Sequence, residues 1–335
     1  MQGRLFDFQL PSWLGSDYTM PFPSYFVLLL TGFLFATIFG TVWAKRVGQN
    51  PDVIVDLGLA MLLAGVAGGR LLHVFADGYF WDYVHLCTDP SKVQWHVTRS
   101  QCLSEYKGYW DMVSGVCRPK ETDCLAWARF YAGGLTYYGG FGTASAAAYW
   151  LLRTDRFPFW KAADMAGMVV PVGLGFGRIG CLLAGCCFGS PSAAPWALSF
   201  PGGSPASEAQ AKAGLLASVS ESSLPVQPTQ IYESAACFAI AAYLILRLHG
   251  NKRYDGQVFL SFVALYAAAR FVLEFLRNDD RGGFLGLSTS QLIGLGLLVA
   301  AYRFHQILLR RSTAALSPPP GPPAPTPGPS AESPA

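Results

Sequence analysis

Arg178 stands near the end of an apolar run, Val170-Pro171-Val172-Gly173-Leu174-Gly175-Phe176-Gly177-Arg178-Ile179-Gly180-Cys181, that is long enough to enter a membrane. An arginine at the centre of a membrane helix costs roughly 2.5–3.5 kcal/mol on insertion scales, so one that persists faces a protein interior or a wet cavity and meets something anionic. The pattern returns in Tyr266-Ala267-Ala268-Ala269-Arg270-Phe271-Val272-Leu273-Glu274-Phe275-Leu276-Arg277, where two arginines and a glutamate follow at helical spacing on another apolar run. Two cationic positions in a lipid-embedded chain point to a lipid phosphate, whose oxygens suit the planar, bidentate guanidinium fork. Each residue also has a purely structural reading. Arg178 could pair with Asp164 on the same segment, Arg270 with Glu274 as an i, i+4 ion pair, and Arg277 with Asp279 and Asp280 as a solvated rim.

The composition agrees with a membrane location. Of 335 residues, 52% are hydrophobic and only 13% charged, against about 25% charged in an ordinary soluble domain. The net charge of +3 is too small and too dispersed to argue for a nucleic-acid partner. Seven apolar segments approach the roughly 20 residues that span a bilayer core: Ser24 to Ala44, Val53 to Ala76, Gly133 to Leu152, Ala162 to Leu183, Ile231 to Leu248, Gln257 to Leu276 and Ser288 to Leu309. The basic pairs and clusters Lys45/Arg46, Arg153/Arg156/Lys161, Arg247/Lys252/Arg253 and Arg310/Arg311 all fall on one side. The positive-inside rule makes that side cytoplasmic. The expected fold is therefore all-α, a polytopic membrane protein with about seven transmembrane helices, N-terminus outside and C-terminus cytoplasmic. Asp7, Asp17 and several prolines precede the first apolar run, so no cleavable signal peptide is expected.

Three regions follow from this layout: an outer N-terminal segment over 1–23, a membrane domain over 24–311 with outer inserts at 77–132 and 188–230, and a Pro-rich tail over 312–335. The tail cannot bury a core and is expected to be disordered. Cys87, Cys102, Cys117 and Cys124 lie in the first insert, where an oxidising outer compartment favours two disulfides with three possible pairings over the rival zinc site, since no Cys-x-x-Cys pair is present. With Trp95, Tyr106, Tyr109 and Trp110 among them, these cysteines suggest a small stapled cap over the outer mouth of the cavity. Cys181, Cys186, Cys187 and Cys237 lie in or near apolar segments and read first as small hydrophobes; the Gly185-Cys186-Cys187-Phe188-Gly189 cluster also admits a redox or metal reading. His73, His85, His96 and His305 show no ligand spacing, and no metal or cofactor is expected. Gly133-Gly134 and Gly139-Gly140-Phe141-Gly142 follow no strand, which favours helix packing over a phosphate loop.

The polar residues also form an ordered series. Gly177-Arg178-Ile179-Gly180, closing in Gly185-Cys186-Cys187-Phe188-Gly189, resembles the signature segment of the prolipoprotein diacylglyceryl transferases, Gly-Arg-x-Gly-Asn followed by Asn-Gly-Glu and a closing glycine. Tyr25 stands where that family has a tyrosine at its first helix, and Gly68-Gly69-Arg70 resembles its second-helix Gly-Gly-Arg. Gly139-Gly140 after Tyr138 resembles its His-Gly-Gly, and Asp164 precedes the signature as the family's aspartate does. Pro228-Thr229-Gln230-Ile231-Tyr232-Glu233 resembles its Pro-Ser-Gln-Leu-Tyr-Glu. Tyr266, Arg270, Glu274 and Arg277-Asn278-Asp279-Asp280 resemble its Tyr-x-x-x-Arg-x-x-x-Glu-Phe-x-Arg-x-x-Asp, and Ser290-Gln291 its Gly-Gln.

The resemblance runs from about Tyr25 to the end of the seventh segment. It implies transfer of the diacylglyceryl group of phosphatidylglycerol to the lipobox cysteine thiol of a prolipoprotein signal peptide, releasing glycerol phosphate, in the bacterial inner membrane. The partners are then phosphatidylglycerol, prolipoprotein signal peptides and surrounding lipid. The resemblance assigns catalysis to Arg178, Arg270 and Tyr138, and substrate binding to Tyr25, Arg70, Gly139, Gly140, Asp164, Gly189, Gln230, Tyr232, Glu233, Tyr266, Glu274 and Arg277. The bland readings beside these are helix packing for Arg70 and an interfacial anchor for Tyr232 and Glu233. Three positions depart from the family: Tyr138 for a histidine, Cys181 for the signature asparagine and Cys186 for its glutamate. A phenol of ordinary pKa about 10 is a poor base at neutral pH, so Tyr138 suits an orienting hydrogen bond better than proton abstraction. A divergent paralogue with another acceptor, or a non-catalytic lipid-binding membrane protein, is the alternative.

Overall fold

A computed structural model of the chain describes residues 4–9, 19–95, 99–104, 108–128, 136–277, 283–284 and 286–316. Gly133, Gly134, His96, Tyr106, Asn278, Asp279, Asp280 and the tail from Ser317 lie outside the described residues, as does the side chain of Tyr25. The described chain is mainly helical, and six of its helices are long and apolar enough to cross a membrane: Val27–Arg46, Asp52–Ala76, Phe159–Ala184, Thr229–Asn251, Gln257–Glu274 and Thr289–Thr313. It is a multi-pass membrane protein. The expected third span is present as a helix, Tyr137–Thr154, but Gly139, Gly140, Gly142, Thr143 and Ser145 dilute its hydropathy, and it is not among the six. The all-α expectation is also corrected. Among the described residues are three antiparallel two-stranded hairpins, pairing β1 Arg4–Gln9 with β2 Thr19–Pro23, β3 Tyr109–Asp111 with β4 Val116–Arg118, and β5 Gly283–Phe284 with β6 Leu287–Ser288.

The chain divides into two compact units, one of Leu29–Ala162 and the other of Met1–Leu28 with Ala163–Ala335. The first holds most of α1 (Ser24–Arg46), then α2 (Asp52–Ala76), α3 (Phe80–Thr88), α4 (Arg99–Ser104) and α5 (Tyr137–Thr154). Between membrane helices there is little hydrophobic drive, so close backbone approach and interhelical hydrogen bonds decide the packing. Helices α2 and α5 meet through glycines. A methyl group on Gly139 would lie 2.4 Å from the Gly68 carbonyl oxygen, and one on Gly140 would lie 2.9 Å from that of Gly65. Thr143 Oγ1 donates across the seam to the Ala64 carbonyl at 2.7 Å. Gly139 and Gly140, assigned by resemblance to substrate, are thus occupied in packing α5 on α2.

The cysteine-bearing insert has its own small core of Val93, Cys102, Val116 and Cys117. Its cysteines pair Cys87 with Cys124 and Cys102 with Cys117, which resolves the three alternatives. Arg118 joins Asp111 at 3.1 Å and the Ser91 carbonyl, closing the β3–β4 hairpin onto the segment before it. Arg70 does not stand free for substrate. Its guanidinium donates to the carbonyls of Trp127 at 2.6 Å and Ala126 at 2.8 Å and lies over the Tyr83 ring, so it ties the insert to α2.

The second unit is built on α6 (Phe159–Ala184), α8 (Thr229–Tyr243), α9 (Gln257–Glu274) and α10 (Thr289–Leu316), with a short α7 (Pro205–Lys212) in the second insert. The glycines of α6 mark where its neighbours come close. A methyl on Gly167 would meet the Phe259 backbone of α9 at 2.8 Å, and one on Gly175 the Phe238 ring of α8 at 2.7 Å. Leu246, Val272, Phe275 and Val299 are exposed, as large apolar side chains are where a helix faces lipid.

The packing assignment makes a paired prediction. Gly139→Ala should lower the thermal midpoint of the detergent-purified protein by the equivalent of about 1–3 kcal/mol, because its methyl meets backbone that cannot turn aside. Gly142→Ala, which meets nothing within 4 Å, should leave the midpoint unchanged. Equal midpoints for the two variants would remove the packing role.

Candidate functional site

The end of α6 is shaped by its sequence. Gly185, at φ +72°, supplies the left-handed residue that closes a Schellman turn, with Cys186 N–H donating to the Cys181 carbonyl at 3.1 Å and Gly185 N–H to that of Leu182 at 3.2 Å. Cys187 follows, also left-handed at φ +61°, which costs a non-glycine residue of order 1–3 kcal/mol and marks a conformation the surroundings impose. Those surroundings are the first turn of α8. Thr229 Oγ1 donates to the Cys187 carbonyl at 2.9 Å, and Gln230 Nε2 to the Cys186 carbonyl at 2.7 Å. Gly189 sits where a methyl group would strike the Leu276 carbonyl oxygen at 2.6 Å, and its backbone bridges to Arg277.

One turn further along α8, Glu233 is 2% exposed and receives two arginines on one oxygen. Arg178 Nε of α6 lies 3.0 Å from Glu233 Oε2, and Arg270 Nη1 of α9 lies 3.5 Å from the same atom. The Tyr266 hydroxyl donates to Glu233 Oε1 at 2.9 Å. Arg270 Nη2 pairs with Glu274 Oε2 at 3.1 Å, and Glu274 Oε1 accepts from Ser288 Oγ at 2.9 Å. Ser288 and Gln291 form a reciprocal capping box at the start of α10, with Ser288 N–H donating to Gln291 Oε1 at 2.9 Å and Gln291 N–H to Ser288 Oγ at 3.2 Å. Arg178, Glu233, Arg270 and Glu274 therefore alternate in sign and cancel in charge.

Two buried atoms here make no hydrogen bond: Gln230 Oε1, and Arg270 Nη1, which reaches Glu233 Oε2 only as an ion pair at 3.5 Å. Leaving a buried polar group unmade costs about 1–3 kcal/mol, more for a charged one, so such atoms mark a place for a missing partner. Beside them a groove of about 290 Å³ is lined by Arg178, Gln230 and Ser234 and by apolar side chains that include Leu182, Ile231 and Phe238. An anionic head beside Arg178 with an apolar chain along Leu182 and Phe238 fits that lining.

The structure joins Arg178, Glu233, Tyr266, Arg270 and Glu274 in one network, with Gln230 beside Arg178 in the groove lining and Gly189 and Arg277 at the margin. Tyr232 turns away from Glu233 to donate to Gln227 Oε1 at 2.8 Å. Asp164 is not in the network. It is fully buried and accepts from Lys252 Nζ at 2.8 Å, from Gly256 and Val258 N–H at 2.9 Å and from Phe259 N–H at 3.1 Å. It caps the N-terminus of α9, where a carboxylate suits the helix dipole. An Asp164–Arg178 pair is overturned by distance, because 14 intervening helical steps put them about 21 Å apart. Tyr138, 71% exposed at the start of α5, and Arg70 belong to the other compact unit.

The sequence reading missed two contributors, Ser288 and Lys252, and of a third, the cysteine cluster, it admitted a redox or metal reading for Cys186 and Cys187 without bringing in Cys181. Cys181, Cys186 and Cys187 bring their sulfurs within 4.8 Å of one another. Hydrogen bonds from the Cys181 and Cys186 thiols, with the charge of Arg178 and Arg277, hold the Cys187 thiol below its ordinary value against the burial that opposes them. Ser288 was missed as a partner of Glu274, although Ser288-Thr289-Ser290-Gln291 is a capping-box pattern ahead of an apolar run. Lys252 counted only as a basic loop residue, and no local signal tied it to Asp164.

The family model for prolipoprotein diacylglyceryl transferase matches residues 18–306, and the chain belongs to that family. It is 28% identical over 299 residues to the phosphatidylglycerol–prolipoprotein diacylglyceryl transferase 2 of Clostridium perfringens, covering 88% of this chain and 94% of that protein. The corresponding protein of Vibrio cholerae is 26% identical over 301 residues, covering 87% and 90%. That of Nitrobacter winogradskyi is 35% identical over 180 residues, covering 51% and 55%.

Glu233→Gln tests the network. It leaves Arg178 and Arg270 buried without their shared carboxylate, and breaking a buried pair this way costs about 3–5 kcal/mol. Tyr266→Phe removes one hydrogen bond to a charged group, about 1.5–3 kcal/mol. Thermal unfolding in detergent should rank Glu233→Gln well below Tyr266→Phe; the reverse order would mean that the carboxylate does not hold the helices.

Proposed function

We propose that the chain transfers the diacylglyceryl group of phosphatidylglycerol to the lipobox cysteine thiol of prolipoproteins, releasing glycerol phosphate, in the bacterial inner membrane. The observation that carries this reading is the buried Arg270 Nη1, which makes no hydrogen bond and reaches Glu233 only as a long ion pair, in the same network as Arg178, which lines the apolar groove. The names of the relatives, which specify phosphatidylglycerol and prolipoprotein, support the two substrates.

In this reading the thiol gives up its proton, its sulfur forms a bond to the glycerol carbon that carries the phosphate, and the carbon–oxygen bond to phosphate breaks. The electron pair leaves with glycerol phosphate. Arg270 and Arg178 hold the phosphate through charge-assisted hydrogen bonds that strengthen as negative charge collects on the departing group. Glu233, fixed by Tyr266, aims both guanidinium groups. Glu274 and Ser288 fix the far side of Arg270. Gln230 and Gly189 keep the backbone after α6 against α8, and Arg277 contributes positive charge at the rim. By the family resemblance Tyr138 orients a substrate through its hydroxyl, and Tyr25 and Tyr232 bind substrate.

The purified chain in phosphatidylglycerol vesicles should convert a lipobox peptide to its diacylglyceryl thioether, read by mass spectrometry. Arg270→Ala should lose at least about 100-fold in rate, or about 3 kcal/mol, the scale of removing one charge-stabilising donor. Arg270→Lys should not restore it, because a point charge cannot span both Glu274 and a phosphate oxygen. Near-normal turnover by well-folded Arg270→Lys would sink the clamp.

A further inference from the structure

We propose that Cys181, Cys186 and Cys187 form a zinc site whose open fourth position takes the acceptor thiol. Three cysteines supply the geometry. Their sulfurs lie within 4.8 Å of one another, and a tetrahedral zinc with bonds of about 2.3 Å needs its sulfurs about 3.8 Å apart, within reach of small side-chain rotations. The backbone is already bent to that purpose. The Schellman turn brings Cys186 back over Cys181 through the Cys186 N–H to Cys181 carbonyl bond. The left-handed Cys187 is pinned by Thr229 Oγ1 on its carbonyl. Cys181 is buried and its two partners are half-buried, so the cluster is not sealed from an incoming ligand.

The charges agree. Three thiolates and one Zn²⁺ leave a single negative charge, and Arg178 stands one helical turn before Cys181 on the same face. The Gly189 backbone, two residues after Cys187, pairs with Arg277. Soft thiolates in a tetrahedral set select zinc among the common divalent ions. Three protein ligands with a vacant fourth place are the pattern of reactive rather than structural zinc.

The site rests on the proposed function for its use. An incoming cysteine binds the fourth position as thiolate and releases its proton to water, since a zinc-coordinated thiol is deprotonated outright. Its sulfur then forms the bond to the glycerol carbon, the carbon–oxygen bond to phosphate breaks, and glycerol phosphate carries off the electron pair. The product thioether is a neutral, weak ligand and gives way to water. No general base is then required of Tyr138.

The test uses the full chain in nanodiscs, prepared without chelator. Metal analysis should find about one zinc per chain, as a single tetrahedral site holds. Cys186→Ser and Cys187→Ser should lose it, while Cys237→Ala, on α8, should keep it. Cobalt-exchanged protein should show thiolate-to-metal charge-transfer absorption, and its ligand-field bands should shift with a peptide carrying one free cysteine but not with its serine counterpart. Absence of zinc after incubation with zinc salt, with the three sulfurs found by mass spectrometry as free thiols or a disulfide, would overturn the site. A cobalt spectrum unmoved by the cysteine peptide, or normal transfer by metal-free and well-folded Cys186→Ser protein, would overturn its part in thiol activation. If zinc and the spectral shift are found while the wild-type chain transfers nothing from phosphatidylglycerol, the proposed function fails and the thiol-binding zinc site stands.

Discussion

A charge that has no counterpart cannot rest in the hydrocarbon layer at an acceptable energy, and in this chain the counterpart is one carboxylate. Glu233 on α8 receives Arg178 of α6 and Arg270 of α9 on a single oxygen, while Tyr266 holds the other. Glu274 and Ser288 extend the chain of contacts to the start of α10. Four helices that are otherwise apolar, and so free to slide against one another, are given a register by polar groups at one level. Apolar packing alone would not specify that register, because lipid tails compete with side chains on equal terms.

Helix α6 is held at its other end by the opposite arrangement. There Asp164 on α6 is the buried charge, and the N–H groups that open α9, with Lys252, surround it. The α6 glycines between the two ends are placed where a neighbour's backbone or ring comes near, at Phe259 and Phe238. The unit of Leu29–Ala162 solves the same problem with less charge. There Gly139 and Gly140 of α5 allow carbonyl oxygens of α2 to approach, and Thr143 adds a hydrogen bond across the seam.

Much of this was legible in the sequence, for stated reasons. Seven apolar stretches stood out by length, six of which form helices long and apolar enough to cross a membrane, and Arg178 and Arg270 stood out at the ends of two of them before any geometry. Pairing of Arg270 with Glu274 followed from i, i+4 spacing, and the insert cysteines read as disulfides from their position. What sequence could not supply was the partner of each long-range contact. Arg178 had an acid in its own segment and chose one 55 residues away, because helix geometry separates the near candidate by several turns. Arg70 and Asp164 matched the family's polar positions, yet Arg70 donates to backbone carbonyls and Asp164 accepts from backbone N–H groups together with the distant Lys252, partners that carry no local side-chain signal. The redox or metal reading of the Cys186-Cys187 cluster did not include Cys181, because its approach depends on a Schellman turn, which Gly185 permits but does not announce.

The neutrality of the cluster bears on how the proposed reaction is driven. Two arginines bound to two glutamates do not attract a phosphate as two bare cations would, so a singly charged phosphodiester is held chiefly by the donor without a hydrogen bond, Arg270 Nη1, whose ion pair to Glu233 is long at 3.5 Å. As the bond to the glycerol carbon breaks, the leaving phosphate approaches a second negative charge. It then competes with Glu233 for the guanidinium groups on better terms than the diester did. The network thus gives more to the departing group than to the bound lipid, and only such a difference accelerates the chemical step. A clamp of uncompensated arginines would bind both species tightly and hold the product as well as the substrate. On this account the carboxylate between the arginines keeps the fold in register and also keeps the lipid from binding too well.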